Sequence, residues 1–191
     1  INGYQLGSYP AEPYLGHANY RAPENFLEVS DGMADLAVSP HFRLGQFLCK
    51  QPTDGTPYLV LSERLLVKLE SILEAANERG WRADTFTVMS GYRTPAYNAG
   101  LGNGRHSRHI YGGAADIFID ANGDGVMDDL NGDGVHDRKD AAALFDLVDS
   151  LSHNSPSFSP LIGGLGEYAP NAHHGPFVHV DERGWRARWG R

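Results

Sequence analysis

Cysteine is nearly absent from this chain of 191 residues: Cys49 stands alone. That excludes an internal disulfide framework and any zinc site built from a cysteine cluster. Long apolar runs are missing as well. None approaches the ~18 residues a membrane helix needs, so no span is expected. No basic stripe is present to neutralise phosphates, which argues against a nucleic-acid partner. The chain opens on Ile1 with no basic-plus-apolar leader, as expected of a processed or trimmed protein.

What is present is ordinary in bulk and unusual in detail. The apolar fraction is 41%, with 23 glycines beside it, and the length suits one domain or one domain with an insertion. The net charge of −8 is concentrated: nine acids and two bases lie between Asp120 and Asp149, so the rest of the chain is close to neutral.

Periodicity gives a coarse plan. Residues 1–35 are rich in Tyr, Pro and Gly without a clear period and read as an irregular N-terminal arm ahead of a domain over 36–191. Ser62 begins a helix to about Arg79, with Leu65, Leu66, Leu69, Ile72, Leu73 and Ala76 on one face and Gly80 as its stop. Strands are predicted over 85–89, 114–120 and 177–181, with a short segment after Gly163-Gly164. Helices are predicted over 95–101, opened by Pro95, and over 137–151. This irregular order implies an α+β fold, a small antiparallel sheet with flanking helices.

The histidines are candidate ligands. In SRHIYGGAAD (107–116), His109 and Asp116 are separated by a glycine pair that permits a tight reversal. Alternation along 114–120 sets Asp116 opposite the apolar Ala115, Ile117 and Ile119, so it points into a cleft or into water. In FVHVD (177–181), His179 and Asp181 share one face and Val178 and Val180 the other. Two His and one Asp with a fourth position left to water form an accepted catalytic zinc set. Spacing alone leaves open that these are ordinary buried or surface imidazoles.

The string SRHIYGGAAD resembles the zinc site of the D-Ala-D-Ala carboxypeptidase and murein endopeptidase family, whose fold is shared with the hedgehog signalling domain. SGYRT (90–94) resembles the segment preceding that site, and FVHVD the strand with the third ligand. SPHFRLGQFLCKQ (39–51) and HVDERGWRARW (179–189) are similar to a bacterial branch of these peptidases. The resemblance spans roughly residues 35–189 and implies a hedgehog-like fold with zinc on His109, Asp116 and His179. It places Arg93 on an arginine that steadies the peptide oxygen or a substrate carboxylate. A fixed guanidinium fork also suits a developing oxyanion, the plainer alternative being a surface salt bridge. Ser107 falls on a substrate-side hydroxyl position, or is simply a turn serine.

At the general base the sequence departs from the family. The positions where relatives carry an acid or a histidine are Pro176 and Phe177 here. Three substitutes remain, in this order: Asp181, beside His179 on the strand as a base or a supporting partner; His174, where some relatives place a catalytic histidine; and Glu167, in the segment leading to that strand. Were all three inert, zinc binding without hydrolysis would follow.

A near-perfect tandem repeat occupies 120–140. Asp120, Asn122, Asp124, Val126 (through its carbonyl) and Asp128 recur nine residues later as Asp129, Asn131, Asp133, Val135 and Asp137, with Asp140 closing the second copy. Oxygens at positions 1, 3, 5, 7 and 9 with glycine at 6 describe an EF-hand-like calcium loop. A solvated acidic loop is the alternative. The first copy has Asn131 at position 12 and reads as the weaker or shared site. Relatives need no such loop, so it is expected to be an insertion holding structural Ca2+ and ordering the exit of the Asp116 strand.

These readings lead to a monomeric zinc peptidase that cuts peptidoglycan peptides next to a D-amino acid, in the periplasm or outside the cell. The cell-wall and D-amino-acid parts follow from the resemblance alone. Three rivals stand beside it: a non-catalytic zinc and calcium module that binds cell wall or a protein, a calcium-dependent adhesion module, and a cytoplasmic dipeptidase.

Overall fold

Burying the apolar stripe of the first long helix organises one side of the molecule in the computed structural model, which describes residues 1–191. The order is β1 (Leu27–Glu28), β2 (Tyr58–Leu59), α1 (Glu63–Glu78), β3 (Thr87–Ser90), α2 (Pro95–Gly100), β4 (Ala114–Phe118), α3 (Arg138–Asn154), β5 (Gly164–Tyr168), β6 (Phe177–Asp181) and β7 (Ala187–Trp189). Short 3-10 turns fill several connections. No helix is long and apolar enough to cross a membrane.

The expected α+β arrangement is present. Strands β1 and β2 form a small antiparallel ribbon. The main sheet has the order β3-β4-β6-β5-β7, antiparallel throughout except for the β5–β7 pair at its edge, which is parallel. Period-two alternation alone does not specify the partner of a three-residue strand, so β7 and its direction were not read from the sequence.

One face of the sheet is packed by helices. Ala115 and Ile117 of β4, Val178 and Val180 of β6 and Leu165 of β5 meet Leu65, Leu69, Ile72 and Leu73 of α1 and Ala141, Leu144, Phe145 and Val148 of α3 in one core. Each of the larger side chains, Val, Leu, Ile and Phe, contributes about 1.5–3 kcal/mol by leaving water. The opposite face of β4 and β6 carries the polar residues, which leaves a cleft there.

The start of α3 and the acidic repeat are tied to one another and to this core. Asp137 is the N-cap, accepting from the Lys139 amide, and Asp140 returns a carboxylate to the Asp137 amide in a capping box. Met127, near the end of the first half of the repeat, is buried in the core. Residues 1–35 contribute β1 and several short 3-10 turns and pack against the rest of the chain. The Tyr9 hydroxyl lies 3.2 Å from that of Tyr92 and donates to the Ile110 carbonyl at 3.0 Å. Asn19 donates to the Arg183 carbonyl at 3.2 Å, and the Tyr20 ring stacks near Trp185.

Candidate metal centre

The site is built on one row of cross-strand neighbours. Ser90, Asp116, His179, Gly166 and Trp189 come from β3, β4, β6, β5 and β7 and lie side by side across all five strands. Directly paired residues share a face, so the row presents its side chains to the cleft together. His109 enters from the 3-10 turn Arg108–Tyr111, which precedes β4.

Three ligand atoms converge. Asp116 Oδ1 lies 2.8 Å from His179 Nδ1 and 3.2 Å from His109 Nε2, and the two ring nitrogens are 3.2 Å apart. All three residues are buried, and no other three His, Cys, Asp or Glu residues bring ligand atoms this close together. Ligand atoms on a tetrahedral zinc, at about 2.0–2.1 Å from the ion, are about 3.3 Å apart, so the triangle has the spacing such an ion imposes.

The surrounding hydrogen bonds assign the tautomers. His109 Nδ1 faces the Gly91 carbonyl at 2.7 Å; a carbonyl only accepts, so Nδ1 carries the proton and Nε2 offers a lone pair. His179 Nε2 faces Asp181 Oδ2 at 3.2 Å, which leaves Nδ1 as the donor atom for a metal. A carboxylate or carbonyl behind each imidazole is the support that metal-ligating histidines ordinarily have. The residues present therefore fit zinc, with the Asp116 side chain supplying the oxygen.

Electrostatics follow from burial and contact. Burial pulls the His109 imidazole below its ordinary value. Burial also opposes ionisation of Asp116, yet the adjoining His109 and His179 rings outweigh it and hold this carboxyl well below its usual range. For His179, burial is overcome by hydrogen bonds to Asp116 and Asp181, and the imidazole is raised.

Arg93 lies in the cleft and is not a surface ion pair. It bonds Asp116 Oδ2 through Nη2, and its Nε donates to Ser90 Oγ at 2.8 Å. Arg93 lines a cleft of about 680 Å³ with Ser107, His109, Asp116, His174 and His179. Ser107 is half-buried on that wall, at the start of the 3-10 turn.

The candidate bases separate. Asp181 is fully buried behind His179, where it accepts from the Gly164 amide at 2.7 Å and from Arg183; His179 and Arg183 hold its carboxyl well below the usual range despite burial. It is the supporting partner of His179, and the preference for it as base is corrected: every oxygen is engaged and none faces the cleft. Glu167 is also corrected. It pairs with Val178, on the helix-packed face, where Arg138 at 2.6 Å and Arg191 at 3.1 Å hold it. Of the three, His174 alone lines the cleft. Its ring nitrogens contact Asn171 Nδ2 and the Gly175 carbonyl, each at 2.7 Å.

In the acidic repeat the two halves adopt the same turns. Asp120 and Asp129 each accept from three following amides, Asn122 and Asn131 from the residue two on, and Asp124 and Asp133 from Val126 and Val135. Asp128 accepts from the Ala121 amide. The carboxylates of the repeat do not converge as the His-Asp-His triangle does, and Lys139 Nζ sits 2.7 Å from Asp133. Asp140 is fully buried and accepts from Leu130 and Asn131.

Several contributors escaped the sequence reading. The Gly91 carbonyl has no side-chain signature. Arg108, stacked on Tyr20 and Tyr111, makes a buried ion pair with Glu182 that anchors the turn carrying His109. Gly164 and Gly166 alternate on the face shared with Asp181 and His179. That spacing was a readable signal that something else occupies the space above a bare strand face.

No curated protein matches this chain. Residues 40–128, just under half of it, match the family model described as Peptidase M15, a match that supports a zinc metallopeptidase and spans Arg93, His109 and Asp116 but stops short of His179.

Proposed function

We propose that this protein is a zinc-dependent peptidase that hydrolyses peptidoglycan stem or crosslink peptides next to a D-amino acid, as a carboxypeptidase or endopeptidase. The observation that carries the reading is the buried His109–Asp116–His179 triangle, opening on a cleft and backed by hydrogen bonds that leave one lone pair on each ring. The family match supports the metallopeptidase part, and the motif resemblance is what points to cell-wall peptides.

Zinc, when bound, supplies Lewis-acid chemistry: it polarises a carbonyl and makes water acidic enough to ionise near neutral pH. The chain's own groups do the rest. His109, Asp116 and His179 hold the ion, and Asp181 and the Gly91 carbonyl hold the imidazoles. Arg93 fixes Asp116 and lines the cleft, where a guanidinium N–H donor stabilises charge growing on a carbonyl oxygen. His174 is the one of the three candidates that lines the cleft, and it takes up a proton and returns it to the leaving amine once Nε2 gives up its contact with Asn171.

We further propose that the twin loops of 120–140 hold structural calcium, and that the protein acts as a monomer in the periplasm or outside the cell. The repeated ligand pattern and the repeated turns support the first statement. The location follows from the proposed wall substrate and calcium loops, and the monomer is part of the same reading.

One observation favours a second reading. Asp116, a ligand, is the only carboxylate lining the cleft, as suits a zinc-holding module that binds wall peptides without cutting them. Digestion of muropeptides by the wild type and His179→Ala, followed by mass analysis of products, separates the two. Cleavage by the wild type and none by the variant is expected, and identical product profiles would end the hydrolase reading.

A further inference from the structure

The cleft wall beside His179 comes from the last strand, outside the family match. In the cross-strand row, Gly166 stands between His179 and Trp189. A Cβ on Gly166 would meet the indole at 2.3 Å from Nε1, so the missing side chain is what lets the Trp189 ring lie across β5 and approach the His179 imidazole, with centroids 5.2 Å apart. His179 Nδ1 is one corner of the ligand triangle. Any ligand atom held at the centre is therefore within a side chain's reach of the indole.

The indole is fixed on several sides. Nε1 donates to the Tyr168 hydroxyl at 2.9 Å, and Tyr168 stacks on Phe177 at 4.5 Å with the rings nearly parallel. The Arg183 guanidinium, bound to Asp181, lies 5.2 Å from the Trp189 ring. Next to it, Arg188 is held by Asp149 at 2.5 Å and by the Gly163 carbonyl at 2.8 Å. These contacts seat the half-buried indole against β5 beside the cleft. Trp189, Tyr168 and Phe177 all line the metal cleft.

We propose that Trp189 is the specificity-determining residue of this site: its indole sets the width of the cleft next to the metal and admits small side chains on the group bound there while rejecting aromatic ones. The proposal rests on the metal-centre half of the reading above and not on hydrolysis. Its test is binding. Zinc-loaded wild type, W189A, W189L and W189F are titrated calorimetrically with alanine hydroxamate and phenylalanine hydroxamate, whose hydroxamate groups anchor on zinc, after the zinc content of each has been measured. The wild type is expected to prefer the alanine compound by about tenfold or more, the scale on which one pocket wall discriminates. W189F keeps most of that preference, W189L less, and W189A brings the ratio to within about threefold. Should W189A fail to hold zinc, the graded series of Trp, Phe and Leu carries the test. Equal preference across the series, or no preference in the wild type, overturns the proposal. A preserved binding preference without cleavage of any muropeptide would sink the peptidase reading and leave this one standing.

Discussion

Replacing Asp181 by Asn probes the metal centre without touching a ligand. The carboxylate holds His179 Nε2 at 3.2 Å, accepts the Gly164 amide at 2.7 Å and binds Arg183. Asn keeps the shape and one carbonyl oxygen, so the Gly164 contact can persist. It removes the negative charge that makes the His179 ring a better donor and leaves the Arg183 guanidinium without its partner. Loss of such a supporting group typically lowers metal affinity 10–100-fold, which is about 1.4–2.7 kcal/mol. Competition against a chromogenic chelator at neutral pH measures this directly, with far-ultraviolet circular dichroism confirming the fold. Glu167→Gln is the matched control: the same sheet and a buried carboxylate, but on the helix-packed face. It should leave zinc affinity unchanged while loosening the contacts to Arg138 and Arg191. An Asp181→Asn protein that is folded and binds zinc within twofold of the wild type would refute the orientation argument, as would an equal loss in both variants.

Two further outcomes follow from the structure. Lys68 is buried on α1 with Nζ 2.7 Å from the Asp181 carbonyl, and burial lowers its pKa from 10.5 to about 8. The unfolded chain therefore holds this proton more tightly, so the penalty is fully present below pH 8 and disappears as pH rises towards 10.5. Lys68→Met should raise stability by about 1–2 kcal/mol at pH 7, after the cost of the orphaned carbonyl, and by much less at pH 10; urea titrations at both pH values check it, and a gain independent of pH would count against the argument. For the acidic repeat, a calcium-selective chelator should lower the melting temperature, and an unchanged melting curve would remove the calcium assignment.

Much of the fold was legible because its signals are local. The leucine spacing of α1, the apolar spacing of α3 and the alternation in FVHVD each report on their own segment. The metal triangle was also legible, since β4 and β6 set their polar residues on one face by alternation and pair in a register that joins Asp116 to His179. What could not be read depends on long-range pairing. Glu167 sits one residue from Gly166, and that single step decides whether it faces zinc ligands or α3. Asp181 was correctly placed beside His179, but its engagement by Arg183 required the path of the tail. Arg93 was expected to be free for substrate, and its bond to Asp116 emerges only once β3 lies against β4.

The two kinds of strand in this sheet have different exposure to fraying. Strands β4 and β6 are interior, hydrogen-bonded on both flanks, so two of the three candidate ligands, Asp116 and His179, sit on well-protected backbone. Strand β7 is an edge of three residues, fastened largely by arginine–carboxylate contacts to α3. Under the proposal made for Trp189, selectivity and metal retention are carried by separable parts. The lining of the cleft can drift through changes in a short terminal ribbon while the coordination machinery stays intact.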